Sequence, residues 1–491
     1  MLMACAKPSA TSSTNPPANP TPATALEINQ RLGRGINLGN MYEGDVSWQG
    51  KFEPGFLRLI AEQGFKHVRV PIRWERADRS MLTPPYTIQP SFINEIKNVV
   101  DEALKNKLHV IINMHHHDNL LAKPAEQKER FLSQWQQISN YFKSYPDSLL
   151  FEILNEPNGN MTATLWNEYA AAALNTIRQT NATRTVLIGT PDWGGVASVD
   201  KLALPNDQHL ILTVHYYNPF NFTHQGADWV QNSDPWLGTK WYDTRYERAD
   251  MESDFKKVLQ VSREKNIPVH VGEFGAYSKA DMDSRVRWTR FLARWFEQQK
   301  FSWAYWEFNS GFGIYDNATK QFRQPLLNAL TRDEMPNAYD PPLNTLYTSN
   351  FTGNQKDGWN IYNNDVSAAS TMVIVNEKIN VTITQPGAER WHVQLMRPGS
   401  VNLEAGKMYR ITFNASADGT KTIGCDISKH SSPWTVYSGS RAFNINTTDT
   451  EYSFIFYASQ SDAAARIAFS IGNSGTGSVI LHNIHVQQVQ L

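Results

Sequence analysis

The chain has 491 residues, 41% of them hydrophobic, and its 46 basic and 47 acidic residues leave a formal net charge of -1. That length suits about two or three domains, while the near-neutral charge and the lack of any apolar run of about 18 residues exclude a nucleic-acid binder and a spanning helix. Two cysteines, Cys5 and Cys425, are too few for a thiolate metal site or CxxC chemistry, whereas 15 Trp, 19 Tyr and 23 Phe supply flat apolar faces for a core or a ligand.

Met1-Leu2-Met3-Ala4-Cys5 ends as a cleaved bacterial lipoprotein signal does, without the charged start and apolar stretch that export requires. Lys7 to Thr24 is Pro, Ala, Ser, Thr and Asn with almost no core-forming residue. Residues 1–25 are therefore expected as a disordered leader. The expected location is secreted or extracellular, with attachment to an outer membrane through Cys5 as the variant.

From about residue 30, β-rich runs alternate with amphipathic helical stretches. The runs fall near Ile36–Leu38, His67–Val70, Val110–Asn113, Leu150–Leu154, Val186–Ile188, Leu210–Val214, Val269–Val271 and Trp303–Trp306. Between them, Trp166, Tyr169, Ala173 and Ile177 recur at helical spacing, as do Trp288, Leu292 and Trp295. Eight βα units in about 300 residues predict a closed (β/α)8 TIM barrel over 26–336. Residues 337–348, with Asp340-Pro341-Pro342, read as a linker. From 349 to 491 the pattern alternates, as in Lys378–Ile383 and Tyr409–Phe413, with turns such as Asn473-Ser474-Gly475. An all-β sandwich of jelly-roll type is expected there.

In such a barrel the reactive groups sit at the C-terminal ends of the strands. Those ends offer Arg69, Asn113, His115-His116-His117, Asn155-Glu156-Pro157, His215-Tyr216-Tyr217, Glu273 and Trp306-Glu307. Two carboxylates, Glu156 and Glu273, facing one cleft suit glycosidic cleavage, one as proton donor and the other as nucleophile or base. Arg69 and the histidines are placed to hold a carboxylate ionised, and Asn155 to position a sugar hydroxyl. Glu152 shares the face of Glu156 and is expected as a buried ion-pair member, with Glu307 behind Trp306. The HxH pair His115 and His117 supports a competing class, a zinc-dependent amidohydrolase, but no Asp ligand ends the eighth strand. The longest connection, between strands six and seven, is rich in aromatics, and Trp229 is its expected sugar platform.

At these residues the chain resembles glycoside hydrolase family five, a retaining family of clan A barrels. The resemblance covers about 30–335 and rests on Gly33–Asn40, His67–Pro71, Asn113–His116, Leu154–Pro157, His215–Pro219, Gly272–Tyr277 and Ala304–Glu307. Phe222–Gly226 and Ser310–Gly313 bring it near the bacterial endoglucanases that also accept mannans. One departure is Met41–Asp45, shorter than in those members. The resemblance implies Glu156 as acid/base and Glu273 as nucleophile. It implies substrate contacts from Asn37, Glu43, Arg69, His115, His116, Asn155, His215, Tyr217 and Trp306, beside Trp229. The implied activity is retaining endo-β-1,4-glucanase, with mannanase or xyloglucanase as alternatives. The second domain is similar to β-sandwich carbohydrate-binding modules through Trp391–Leu395, Leu403–Tyr409 and Ala465–Phe469, which suggests Trp391, Gln394, Trp434 and Tyr437 as ligand contacts. Trp359 and Trp391 are equally candidates for the sandwich core. No cofactor is required; the one metal to look for is a structural Ca2+ in the module. The expected partner is plant cell-wall polysaccharide, with no nucleic acid and no membrane span, and a monomer is expected.

Overall fold

The computed structural model describes residues 23–45 and 50–491, so the Cys5 anchor lies outside the described residues. Eight short strands close into a parallel barrel in sequence order. They are Arg34–Asn37 (β1), His67–Val70 (β2), His109–Asn113 (β3), Leu149–Glu152 (β4), Val186–Gly189 (β5), Leu210–His215 (β6), Val269–Glu273 (β7) and Ser302–Tyr305 (β8). β1 seals the barrel against β8, with Ile36 opposite Tyr305. Strands β4 to β8 are buried along their whole length. Helices cover one face and the barrel interior the other, which is why these runs do not alternate in sequence.

Two helices begin at reciprocal caps. Thr24 and Thr244 each form a reciprocal box with the glutamate three residues on, Glu27 and Glu247. Each box satisfies backbone N–H groups that the first turn leaves open. Trp166, Tyr169, Ala173 and Ile177 become the buried stripe of the Ala163–Arg178 helix, and Trp288, Leu292 and Trp295 that of Met282–Gln298. A short hairpin, Tyr315–Asp316 (β9) and Gln321–Phe322 (β10), follows the eighth strand.

The remaining strands make a two-sheet sandwich. They are Leu343–Ser349 (β11), Asn360–Asn363 (β12), Ala368–Val375 (β13), Lys378–Pro386 (β14), Val393–Leu403 (β15) and Met408–Ala417 (β16). Lys421–Ser428 (β17), Arg441–Ile445 (β18), Thr450–Tyr457 (β19), Asp462–Ser470 (β20) and Gly477–Val489 (β21) complete it. One sheet runs β13-β14-β21-β16-β19, with β11 also on β21, and the other runs β12-β15-β20-β17-β18. Trp359, Tyr409, Phe413 and Phe469 fill the space between them. Trp359 is thus a core residue, while Trp391 is not.

Two boundaries need correction. The expected leader ends too late, because the first helix begins at Ala25 behind its Thr24 cap. The expected linker 337–348 is also too long: Leu343–Ser349 is β11, paired with β21. Asn344, Thr345 and Thr348 disguise that strand, but the long β21 offers it a partner edge. What is left of the connection lies along the barrel. Tyr339 donates to the Asp243 carbonyl and accepts from the Arg245 amide, and Asp340 pairs with Arg245 at 2.5 Å.

Candidate active site

Glu156 follows β4 and Glu273 ends β7, so both stand at the mouth of the barrel. One oxygen of each, together with a ring nitrogen of His215 at the end of β6, lies within 4.8 Å of the others. Glu156 Oε1 is 2.7 Å from His215 Nδ1, and Glu273 Oε2 is 3.6 Å from the same nitrogen. Glu156 holds a left-handed backbone, φ 44°. Non-glycine residues seldom adopt that conformation, which concentrates where surrounding structure enforces it for function. Here the Asn155 amide bonds the Met114 carbonyl, and the Pro157 carbonyl accepts from Trp193.

Glu273 is held from below and from the side. Arg69 Nη1 donates to its Oε1 at 2.8 Å, and the Tyr217 hydroxyl to its Oε2 at 2.9 Å. Arg69 is fully enclosed and spends all five N–H groups. Two go to Glu152 at 2.6 and 2.7 Å, one to Asn155 at 2.7 Å, one to Asn37 at 2.9 Å, and the fifth to Glu273. Asn37 in turn donates to the Gly272 carbonyl at 2.9 Å and reaches those of Ala304 and Tyr305. Asn37 and Arg69, expected as substrate contacts, therefore lie beneath the carboxylates. They are buried and saturated, and act through Glu273 and Asn155. Glu152 is the ion-pair member expected of it.

The electrostatics separate the groups. Burial pushes the Glu273 carboxyl up, against the pull of His215, Arg69 and the Tyr217 hydroxyl, while the neighbouring Glu156 adds to the rise. Burial alone would keep His215 neutral, but Glu273 and Glu156 beside it raise its proton affinity above the usual histidine range. One titratable imidazole thus stands between two carboxylates.

The three consecutive histidines do not converge. His115 stacks on Trp306, with ring centroids 5.6 Å apart and planes 9° from parallel, and its Nδ1 accepts from the Asn113 amide. His117 is fully buried, and its Nδ1 caps the following short helix by accepting from Leu120 N at 3.2 Å. Burial holds both rings neutral, His117 down to about 3. The zinc reading of the HxH pair fails on this division. Among the described residues, the one convergence of three His, Cys, Asp or Glu ligand atoms is the Glu156–His215–Glu273 group itself.

An open hollow of about 480 Å3 lies beside Glu156, lined by His115, His116, Asn155, Asn158 and Trp193 among others. Trp193 was not anticipated. It follows β5, whose end escapes notice because the strand stops at a glycine, yet Asp192-Trp193-Gly194-Gly195 sits where strand-end chemistry belongs. Its indole is 64% exposed. Trp229 is exposed too, its ring edge-on to Tyr277 at 4.9 Å. Phe222 and Trp241 from the same connection are buried, so that loop both packs and presents an aromatic face. Glu43, expected as a substrate contact, is instead buried and accepts from the Asn40 and Tyr42 amides, and Glu307 accepts from those of Asn309, Ser310 and Phe312. Burial raises Glu43 to about 8 and Glu307 to about 7.

On the module, Val393 and Leu395 face the core, so Gln394 between them faces outward. Strand register lines up Tyr362, Gln394, Ser470 and Gly424 across that outer face. Trp391 and Trp434 are each 51% exposed, and the Arg466 guanidinium lies 5.0 Å from the Trp434 ring centroid. Tyr437 departs from expectation. It is buried in the sandwich core, and its hydroxyl donates to Asp462 at 2.8 Å. It lies on the inner side of the sheet, away from Trp434.

A parallel barrel with one carboxylate just after β4 and a second at the end of β7, the second backed by an arginine, is the arrangement that retaining glycosidases use. The family comparison agrees: the cellulase family, glycosyl hydrolase family 5, matches residues 32–311, and a carbohydrate binding domain matches 343–476. The chain belongs to glycosyl hydrolase family 5. It is 35% identical over 327 residues to endoglucanase H of Acetivibrio thermocellus, covering 65% of this chain and 35% of that protein. Endoglucanase B of Clostridium cellulovorans is 29% identical, with 65% of its length covered. The chain thus spans between about a third and two thirds of these curated relatives. Among solved structures, endoglucanase Cel5A of Thermotoga maritima is 45% identical with a TM-score of 0.61, over 63% of this chain and all of that one. That relative has been crystallised with mannotriose and with cellobiose.

Proposed function

We propose that the protein is a retaining endo-β-1,4-glucanase. The observation that carries this reading is the convergence of Glu156, His215 and Glu273 within 4.8 Å. Retaining enzymes hold their carboxyl groups about 5–5.5 Å apart, and inverting ones leave about 6.5–9.5 Å for a water. Glu273 attacks the anomeric carbon while the Glu156 carboxyl protonates the glycosidic oxygen, so the leaving chain departs as an alcohol and a glycosyl ester forms. Esterification removes the negative charge of Glu273, which eases the loss of the proton from Glu156. Glu156 is left as a base and takes a proton from the water that then cleaves the ester, restoring Glu273. Arg69 and Tyr217 fix the two oxygens of Glu273 throughout. Trp306 and His115 supply a stacked floor, and Trp193 and Trp229 exposed faces, for pyranose rings.

The open hollow beside Glu156 leaves room for a chain to continue on the leaving-group side, which supports internal cleavage. β-Glucans are the leading substrates. Glucomannan and mannan follow, because a relative at 45% identity has been crystallised with mannotriose. The module binds polysaccharide through the outer face carrying Trp391, Gln394 and Trp434, and raises the local concentration of an insoluble substrate. A cell-wall polymer cannot enter a cell, so the protein works outside it. Among the described residues no helix is long and apolar enough to cross a membrane.

The test is a panel of initial rates on carboxymethyl-cellulose, barley β-glucan, xyloglucan and glucomannan, repeated with Glu273→Ala. The anomeric configuration of the first product is read by NMR. Retained β-anomer, glucan preference and loss of all rates in the variant are expected; an inverted product or a variant that keeps its rates would sink the assignment.

A further inference from the structure

The module is built onto the barrel. The edge strands β18 and β19, one from each sheet, meet the barrel helix Arg245–Lys265. Tyr246 of that helix packs with Met408 and Val489, the Arg410 guanidinium lies 5.2 Å from its ring, and the Tyr457 hydroxyl donates to Glu247 at 3.1 Å. At the β18 end, Arg441 Nη2 donates to Asp250 at 2.6 Å, and its Nη1 stands 3.7 Å from Asp254.

Asp254 leads to the active site. Its Oδ2 accepts from the Tyr216 hydroxyl at 3.0 Å and the Asn218 amide at 2.9 Å. Those two residues flank Tyr217, whose hydroxyl holds Glu273. Tyr216 is also anchored at its other end, its backbone N–H donating to the Glu273 carbonyl at 2.9 Å. The module thus places one cation against two carboxylates on the back of the segment that positions the nucleophile. Removing it leaves Asp250 and Asp254 close together with that countercharge gone, an arrangement that proteins relieve by moving or taking up a proton.

We infer that Arg441 of the module is a positioning residue for the barrel's reaction, acting through Asp254, Tyr216 and Asn218 on Tyr217 and Glu273. The kinetic part rests on the glucanase reading above. The role is separate from sugar binding, so it must show on substrates too short to reach the module. On an aryl β-cellobioside, Arg441→Met is expected to lower kcat about tenfold with KM within about twofold, since small misplacement at a reacting centre is costly in rate. The acid limb of its pH profile moves up, because Glu273 is less well held in its ionised form. Arg441→Lys recovers part of both. Hydrogen exchange of the 213–219 segment, read without substrate, quickens in Arg441→Met while the remaining strands keep their protection. Unchanged exchange there overturns the inference whatever the rates do. Wild-type kcat and pH profile in a folded Arg441→Met overturn it as well. A wild type inactive on every glucan would instead overturn the proposed function, and the exchange measurement would still decide the clamp.

Discussion

The barrel mouth and the outer face of the module sheet solve opposite problems with related residues. In the barrel, Arg69, Glu152 and Asn37 are enclosed, Glu273 nearly so, and every donor of Arg69 has a partner. On the module, Trp391 and Trp434 are half exposed, and Gln394 is joined to Ser470 and Asn364 at the surface. Bond cleavage needs charges fixed before the substrate arrives, in a dry place where they act strongly. Holding a polymer needs flat apolar area that gives up water on contact. Removing one group from the barrel network should therefore damage chemistry or folding by orders of magnitude, whereas removing one from the module face should weaken a single contact.

The largest effect is expected from Glu273, the proposed nucleophile. Glu273→Ala should lower kcat on soluble glucan by about 10⁴-fold or more, as loss of a covalent nucleophile does. Glu156→Ala should cost about 10²–10⁴-fold through the missing proton transfer. That loss shrinks on aryl glycosides with acidic leaving groups, which need no proton, and a rate series over such groups checks it. Arg69→Met comes next and reads as stability. It leaves Glu152 and Glu273 buried with their shared cation gone, at about 3–5 kcal/mol, measured by denaturant unfolding. A stable Arg69→Met with normal kcat would erase the contrast between the two regions.

How much of this was legible beforehand depends on the range of the interaction. The strand ends could be read because short apolar runs bounded by helices have one arrangement, and Asn155-Glu156 and Glu273 fall at two of those ends. Depth could not be read: Asn37 and Arg69 belong to the site, but only the closed barrel shows that they lie under it. Tyr437 was expected as a ligand contact along with Trp434, but its ring packs in the sandwich core. Trp193 was within reach of the strand-end rule at β5. The docking of the module was not, since Arg441 and Asp250 are 191 positions apart and neither carries a local pattern.

Smaller effects test the module side. Trp391→Ala and Trp434→Ala should each weaken binding to insoluble glucan about tenfold, the usual cost of truncating an exposed aromatic anchor. Rates on soluble substrates should hold. Pull-down on cellulose or β-glucan measures the first and colorimetric assay the second. If either variant lowers soluble kcat, the outer face has a catalytic role and the division of labour fails.

The smallest expected effect concerns pH, and it again belongs to the barrel. Glu43 and Glu307 are buried carboxyls lifted to about 8 and about 7 from an ordinary value of 4.5. The folded chain then binds protons that the unfolded chain releases, so their contribution is complete below pH 4.5 and is lost as pH rises through 7 to 8. Tm should fall by a few degrees between about pH 5 and 8, and Glu43→Gln or Glu307→Gln should flatten that slope. Each variant also loses an acceptor for backbone amides, so its Tm is lower throughout and the slope is the informative quantity. A wild-type Tm that climbs over this interval would mean that the amides around Glu307 and Glu43 outweigh burial, and that both carboxyls are ionised when a sugar chain arrives.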